Sequence, residues 1–468
     1  MSKAGPHVRR PGGGHPGPRA GRDWAMIRVT HGLFAAVVLL ALIAPSLTTG
    51  PFSWLPLLTM SKIADAPIRL GVLSLLPPIL GLIWLVARLL ERPPRRWLWG
   101  RPGTTLPLAG LTLLMLLSLK PALEHRTLVV LVSLALLWSI YLFAVNEKPN
   151  LTVPLSLIAV VQGSVALGQF VCQRDLGIKL LGEVPLDPQI SGISVLWARE
   201  SRWLRSYGLT GHPSVLGATL SVLLLLLADD IADAGGWRRL WFTLVASVGL
   251  LGLLTTFSRG AWLAFCLGVV AWVVRSAALQ RRGAESEERR VLFRRAHLLA
   301  PVILAALFLS LQHDLVASRF LHLETPLEAR SIRDRQRDAD LALQLIWKHP
   351  WRGVGIRNYL VAVRAIEPDS RTVHNVPLLT AAELGLPGAA LWSWLALTGL
   401  LHPLSPAWLP WSAMLVTNLF DVALSMTNSW YATVVFALLA AHVSYPGRAA
   451  QRPQGLPALQ SRNQRDVG

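Results

Sequence analysis

The chain is poor in cysteine, in charge and above all in acid. Two cysteines in 468 residues cannot build a disulfide framework. Cys172 closes one apolar run and Cys266 lies inside another, so both read as small buried residues. Only 15% of residues are charged while 53% are hydrophobic, and mean hydropathy is +0.46, values rare among soluble proteins. No stretch reads as a soluble domain, no repeat has a clear period, and no Gly-Lys-Ser/Thr ending marks a nucleotide phosphate loop. No small-x-small pattern follows the first apolar run, which therefore reads as an uncleaved span rather than a signal peptide.

The apolar residues come in unbroken runs of about 16 to 22, and a helix needs roughly 20 residues to cross a bilayer. Runs near 31–49, 68–90, 104–120, 127–145, 151–171, 213–228, 239–256, 260–275, 298–312, 376–401, 408–425 and 430–444 predict an all-α polytopic membrane protein. The expectation is about 12 transmembrane helices with one long periplasmic loop that contains an amphipathic helix. Residues 1–28, rich in Pro, Gly and Arg, read as a disordered basic cytoplasmic tail. The bundle fills 29–445, with 314–374 as its outer loop, and 446–468 form a second cytoplasmic tail.

A net charge of +19, from 45 basic against 26 acidic residues, invites a nucleic-acid reading. The distribution argues against it. Arg92, Arg95, Arg96 and Arg101, then Arg238 and Arg239, then Arg275 through Arg295 fall in alternate loops, the positive-inside pattern of a chain surrounded by membrane lipids. Both termini then face the cytoplasm. The 19 tryptophans suit interfacial belts, and Trp97, Trp99, Trp237 and Trp241 adjoin basic loops.

Two outward connections, 173–212 and 314–373, carry arginines on the side where orientation does not require them, which points to an anionic ligand. Propensity predicts a helix over 327–348, stopped by His349-Pro350. Arg330, Arg333 and Arg337 share one stripe of it at i, i+3, i+7, and Leu343, Ile346 and Trp347 offer an apolar side. The stripe is either a guanidinium grip for phosphate or a solvated face paired with Asp334, Asp338 and Asp340. Arg199, Arg202 and Arg205 repeat a helical spacing. Gly353 and Gly355 allow a tight turn and a close backbone approach. Arg259 sits in a very tight hairpin between two apolar runs, where a cation needs a wet cavity or a partner. His374, beside Asn375 at the re-entry to the apolar region, is a candidate general base. Glu383 and Asp421 are acids inside apolar runs.

In chain order, Arg205 with Gly211-His212-Pro213, then Ser258-Arg259-Gly260-Ala261-Trp262, then Trp347-x-x-Pro350-x-x-Gly353-x-Gly355, then His374-Asn375 with Ala382-Glu383-Leu384-Gly385-Leu386 resemble the O-antigen ligase/polymerase superfamily (WaaL- and Wzy-like). The elements span roughly residues 205 to 390. The resemblance implies a GT-C-type membrane glycosyltransferase of lipopolysaccharide biosynthesis in the bacterial inner membrane. Its donor would be an undecaprenyl-diphosphate-linked glycan and its acceptor a glycolipid or glycan hydroxyl, with no metal and no cofactor. Carried onto this chain, His374 would activate the acceptor, and Arg205 and Arg259 would hold the diphosphate. Arg330, Arg333 and Arg337 would add to that grip, with His212, Asn375 and Glu383 as further substrate-side residues. Ser214 and Val376-Pro377 depart from the usual pattern, which leaves the subfamily open. A ligase acting on lipid A–core is the first expectation and a polymerase joining lipid-linked units the alternative. A protein O-oligosaccharyltransferase is third, and a lipid-linked glycan transporter is the rival of another class.

Overall fold

The computed structural model describes residues 32–36, 38, 72–90, 96–119, 125–280, 296–320, 326–401, 407–426 and 430–444. Both tails and most of the first apolar run lie outside the described residues. Each of the other eleven runs holds a helix. They are α1 (Val72–Leu90), α2 (Pro102–Leu117), α3 (His125–Glu147), α4 (Thr152–Cys172), α5 (Pro213–Leu226), α7 (Trp237–Thr255), α8 (Arg259–Gln280), α9 (Leu299–Leu311), α13 (Val376–Leu400), α14 (Trp408–Phe420) and α15 (Trp430–Val443). Between them lie a short α6 (Ala228–Ala232), α10 (His313–Phe320), α11 (Pro326–Lys348), α12 (Tyr359–Ile366) and the strands β1 (Val195–Ala198) and β2 (Ser201–Leu204).

Four helices, Arg126–Glu147, Thr152–Cys172, Trp237–Thr255 and Arg259–Ala278, are long and apolar enough to cross a membrane. A fifth is added if Ala296–Leu311 and His313–Arg319, bent by 77°, form one broken span. Pro102–Leu117, Pro213–Leu226 and Ala432–Val443 are apolar but shorter. By length and composition the described helices thus supply four or five candidate spans.

Apolar faces pair the helices. α4 packs on α7, α3 on α15, α8 on α14 and α5, and α2 on α13, around one continuous core that includes Leu108, Ile158, Leu220, Val245, Trp411 and Phe436. At the far end of α8 from Arg259, the buried Arg275 guanidinium donates to both oxygens of Asp229 at 2.5 and 2.7 Å. Cys172 and Cys266 are free and exposed, contrary to the buried reading, because apolar helices here also present side chains outward.

Two departures from the sequence reading concern the connections. Residues 195–204 form an antiparallel hairpin rather than a helical turn, with Ala198 opposite Ser201. The alternation of Val195, Leu196, Trp197 with Trp203 and Leu204 favours strands, and Arg199 and Glu200, at φ 51° and 56°, make the two-residue turn that suits a hairpin. The long connection opens with α10, a continuation of α9 across the bend. Helix α11 matches the predicted bounds, and its apolar residues Leu341, Ala342, Leu345 and Ile346 pack with Tyr359 and Val363 of α12 and Ala381 and Ala382 of α13.

Helix α13 is broken. Gly385 adopts φ 74°, ψ −176°, and Pro387 has no N–H to give to the Glu383 carbonyl. The freed carbonyls of Ala382 and Glu383 accept from the N–H groups of Val354 and Gly355, each at 2.9 Å, and Leu386 N–H donates to the Pro350 carbonyl at 2.7 Å. Backbone meets backbone so closely that a Cβ at Gly353 would lie 2.3 Å from the Glu383 carbonyl carbon. The two glycines therefore splint a broken helix.

Candidate functional site

A cavity of about 570 Å³ opens where the hairpin, the 256–259 turn, α10, α11 and α14 meet, within the size range of small-molecule sites. Arg202, Arg205, Arg259, Arg319, Arg335 and Arg371 line it, together with Asp334, Asp338, Asp421, His212 and His374. Six guanidinium groups against three carboxylates leave a surplus of positive charge. Ser214 near the start of α5, and Ser258, Gly260 and Ala261 at the start of α8, also face it. Helix N-termini aimed at a cavity add to its preference for an anion.

Arg205 is held by its surroundings. The segment after β2 lies against α4, where Gln162 and Gln169, two turns apart, point the same way. Gln169 Oε1 accepts from the N–H groups of Tyr207 and Gly208 and its Nε2 donates to the Gly208 carbonyl. Gln162 Oε1 accepts from Leu209 N–H at 2.9 Å. Buried side-chain amides thus satisfy backbone that would otherwise be stranded among helices. Gly208, at φ 58°, is pressed so near α4 that a Cβ would meet Gln162 Oε1 at 2.5 Å. On this base Arg205 Nε donates to the Thr256 carbonyl at 2.8 Å.

The 256–259 turn is as tight as the sequence requires. Phe257, fully buried among Phe170, Trp262 and Phe308, takes φ 45°, a left-handed conformation that costs energy in a bulky residue and often marks a functional turn. Its carbonyl accepts from Arg319 Nε at 3.2 Å, and Arg259 reaches the Arg319 carbonyl at 3.5 Å. Three arginines from three elements are tied together through this one turn.

Across the cavity stand His374 and Asp338. Asp338, fully buried on α11, has Oδ2 at 3.9 Å from His374 Nδ1, whose side chain is 34% exposed. Burial raises the Asp338 carboxyl above the usual range, opposed by the backbone N–H of Arg371 and by His374 and Arg337. Burial lowers the His374 imidazole below the ordinary histidine value, with Asp421 and Asp338 pulling it up and Arg335 and Arg371 pushing it down. His374 is therefore neutral at pH 7 and able to take a proton. His212 caps α5, its Nδ1 accepting from Ser214 N–H at 3.2 Å while Nε2 meets Ser194 Oγ at 3.1 Å. Burial and then Arg205 depress its pKa, so this imidazole serves as a neutral bridge.

Of the residues singled out in the sequence, Arg205, Arg259, His212 and His374 share the cavity. Arg333 is exposed outside it, Arg337 pairs with Glu367 at 3.2 Å, and the Arg330 side chain lies outside the described residues. Asn375 caps α13, accepting from Leu378 N–H and donating to the Leu419 carbonyl. Glu383, buried at the α13 break, lines a separate pocket of about 20 Å³ with Asn418 and Thr380. The sequence reading passed over Arg319, Arg335, Asp338 and Arg371 as site residues. A signal for α11 was present: Asp338 lies three and four residues before Leu341 and Ala342, so it shares their buried face. Among the described residues, no three His, Cys, Asp or Glu side chains are grouped to hold a metal ion.

Helices of spanning length and composition around an arginine-lined cavity mark a membrane protein with a strongly cationic pocket. Residues 242–393 match the family described as O-antigen ligase, which supports the resemblance to the O-antigen ligase/polymerase superfamily. The matched stretch takes in Arg259, Arg319, Arg335, Asp338, Arg371 and His374. No curated protein matches the chain.

Proposed function

We propose that the protein transfers a glycan from undecaprenyl diphosphate to an acceptor hydroxyl, with lipid A–core as the acceptor. The observation that carries this reading is the single cavity that joins His374 to six arginines. His374 accepts the hydroxyl proton, the acceptor oxygen attacks the anomeric carbon, and the bond from that carbon to the diphosphate oxygen breaks. The electron pair leaves with the undecaprenyl diphosphate. Attack and departure on opposite faces invert the anomeric centre.

Each group has a reason. The diphosphate is already a good leaving group, so it needs charge stabilisation more than protonation. Arg205, Arg259 and Arg319, fixed through the 256–259 turn, are suited to supply it, with forked donors matched to phosphate oxygens. A sugar hydroxyl is a poor nucleophile at neutral pH, and one placed base gives roughly 10²–10⁴-fold. Asp338 beside Nδ1 favours the Nδ1–H tautomer, leaves Nε2 as the basic nitrogen and stabilises the imidazolium once formed. In the topology that goes with this chemistry, about 12 spans hold both termini in the cytoplasm and 314–374 covers the cavity on the periplasmic face of the inner membrane.

The test incubates purified protein with a one-repeat undecaprenyl-diphosphate glycan, with and without lipid A–core, and sizes the products. Product only with lipid A–core is expected. A ladder without it would instead make the protein a polymerase. His374→Ala is expected to fold normally and to abolish transfer; unimpaired transfer would overturn the assignment of the base.

A further inference from the structure

Helix α11 has two apolar faces, and the fold covers one of them. Leu341, Ala342, Leu345 and Ile346 are buried against α12 and α13. Leu343 and Trp347 lie ~150° around the helix from that face, at about 100° per residue. Trp347 is 81% exposed, and Trp351, just past the helix end, is 73% exposed. Lys348, His349 and Arg352, all exposed, alternate with these rings. Large bare aromatics interleaved with cations form a patch that a purely solvated surface does not favour.

Its position says what covers it. The Pro350 carbonyl accepts from Leu386 N–H at 2.7 Å, so the patch is fastened to the break in α13. From there the distal half of α13 exposes Leu386, Trp394 and Leu397, with Leu401 at its C-cap, an apolar strip that starts where the patch is fastened. Indole rings settle where hydrocarbon gives way to headgroups, and lysine and arginine beside them meet lipid phosphates. A second copy on the same patch would bring like charges face to face.

We propose that Trp347 and Trp351 dock the C-terminal end of α11 onto the headgroup interface of the surrounding bilayer, with Lys348 and Arg352 on lipid phosphates. This rests on the membrane-spanning reading of the bundle and not on glycan transfer. The contact sets the height of α11, and with it of Arg335 and Asp338, above the cavity.

The test places a spin label by Trp347→Cys or Trp351→Cys in full-length protein carrying Cys172→Ser and Cys266→Ser. The protein is reconstituted in vesicles of phosphatidylethanolamine and phosphatidylglycerol. Gln336→Cys, on an exposed position of the same helix, is the aqueous reference. Labels at 347 and 351 are expected to lose access to a water-soluble nickel relaxer and gain access to oxygen, relative to 336. Lys348→Glu with Arg352→Glu is expected to return them toward water. Labels as open as 336 would overturn the proposal, as would strong spin–spin coupling between copies, which would make the patch a protein interface. Shielded labels in a protein that forms no glycan product would refute the transfer reading and leave this one standing.

Discussion

Replacing Asp338 by Asn removes one charge beside the proposed base and almost no volume. At 3.9 Å, two unit charges interact by about 4 kcal/mol at an effective dielectric of 20 and about 1 kcal/mol in bulk water. Asp338 is buried while His374 is partly open, so about 2–3 kcal/mol of imidazolium stabilisation is at stake, roughly 30- to 150-fold in kcat. The loss falls on kcat because the charge on His374 develops only as the proton moves. The pH profile carries a second sign. The base works when unprotonated, so activity declines as pH falls through its pKa, below the ordinary histidine range. Asp338 pulls that pKa up; without it the acid limb moves to lower pH while the plateau drops. Initial rates across pH with purified Asp338→Asn, at saturating donor and acceptor, read both effects. Asp340→Asn, on an exposed position of the same helix, is the control and is expected to change neither. An Asp338→Asn enzyme with normal kcat and an unmoved acid limb would refute the positioning role.

Other perturbations separate the parts of the site. Arg335→Ala is expected to raise donor KM by about 10- to 100-fold, the range for one charge-assisted hydrogen bond, whereas Arg333→Ala stays within about twofold; equal losses would mean that the phase of α11 over the cavity is wrong. Gly353→Ala drives a Cβ into the Glu383 backbone at positive φ and is expected to cost about 2–4 kcal/mol, seen as a lowered Tm in detergent. Gln169→Leu strands the Tyr207 and Gly208 amides and is expected to destabilise by about 2–4 kcal/mol, with residual activity falling alongside folded protein; full stability would show that these bonds matter little.

Much of this was written into local sequence. Apolar runs gave eleven helices within a few residues of their predicted bounds, and His349-Pro350 marked the end of α11, because such signals depend on near neighbours. The helical spacing of Arg199, Arg202 and Arg205 is overridden at 195–204 by the strand-forming Val195, Trp197 and Trp203, which pair as a hairpin. The stripe of Arg330, Arg333 and Arg337 lies one step off the cavity-facing side of α11, which carries Asp334 and Asp338, because the buried face defined by Leu341 and Ile346, and not charge spacing, fixes the phase of the helix. The partner of the Gly353–Gly355 turn could not be read at all. It is the broken ladder of α13, some 30 residues on, and only the folded chain brings the two together.

That splint has a consequence for how the chain can be recombined. The bonds from Val354 and Gly355 to Ala382 and Glu383 close a loop that carries both Arg371 and His374. The proposed proton acceptor is thus mounted on a bracket bolted to the bundle at the α13 break and at the Asn375 cap. A chimera that exchanges 376–384 without 350–358 would break the bracket and misplace the histidine even with every cavity residue retained. The exchangeable unit is 350–386, moved as one cassette.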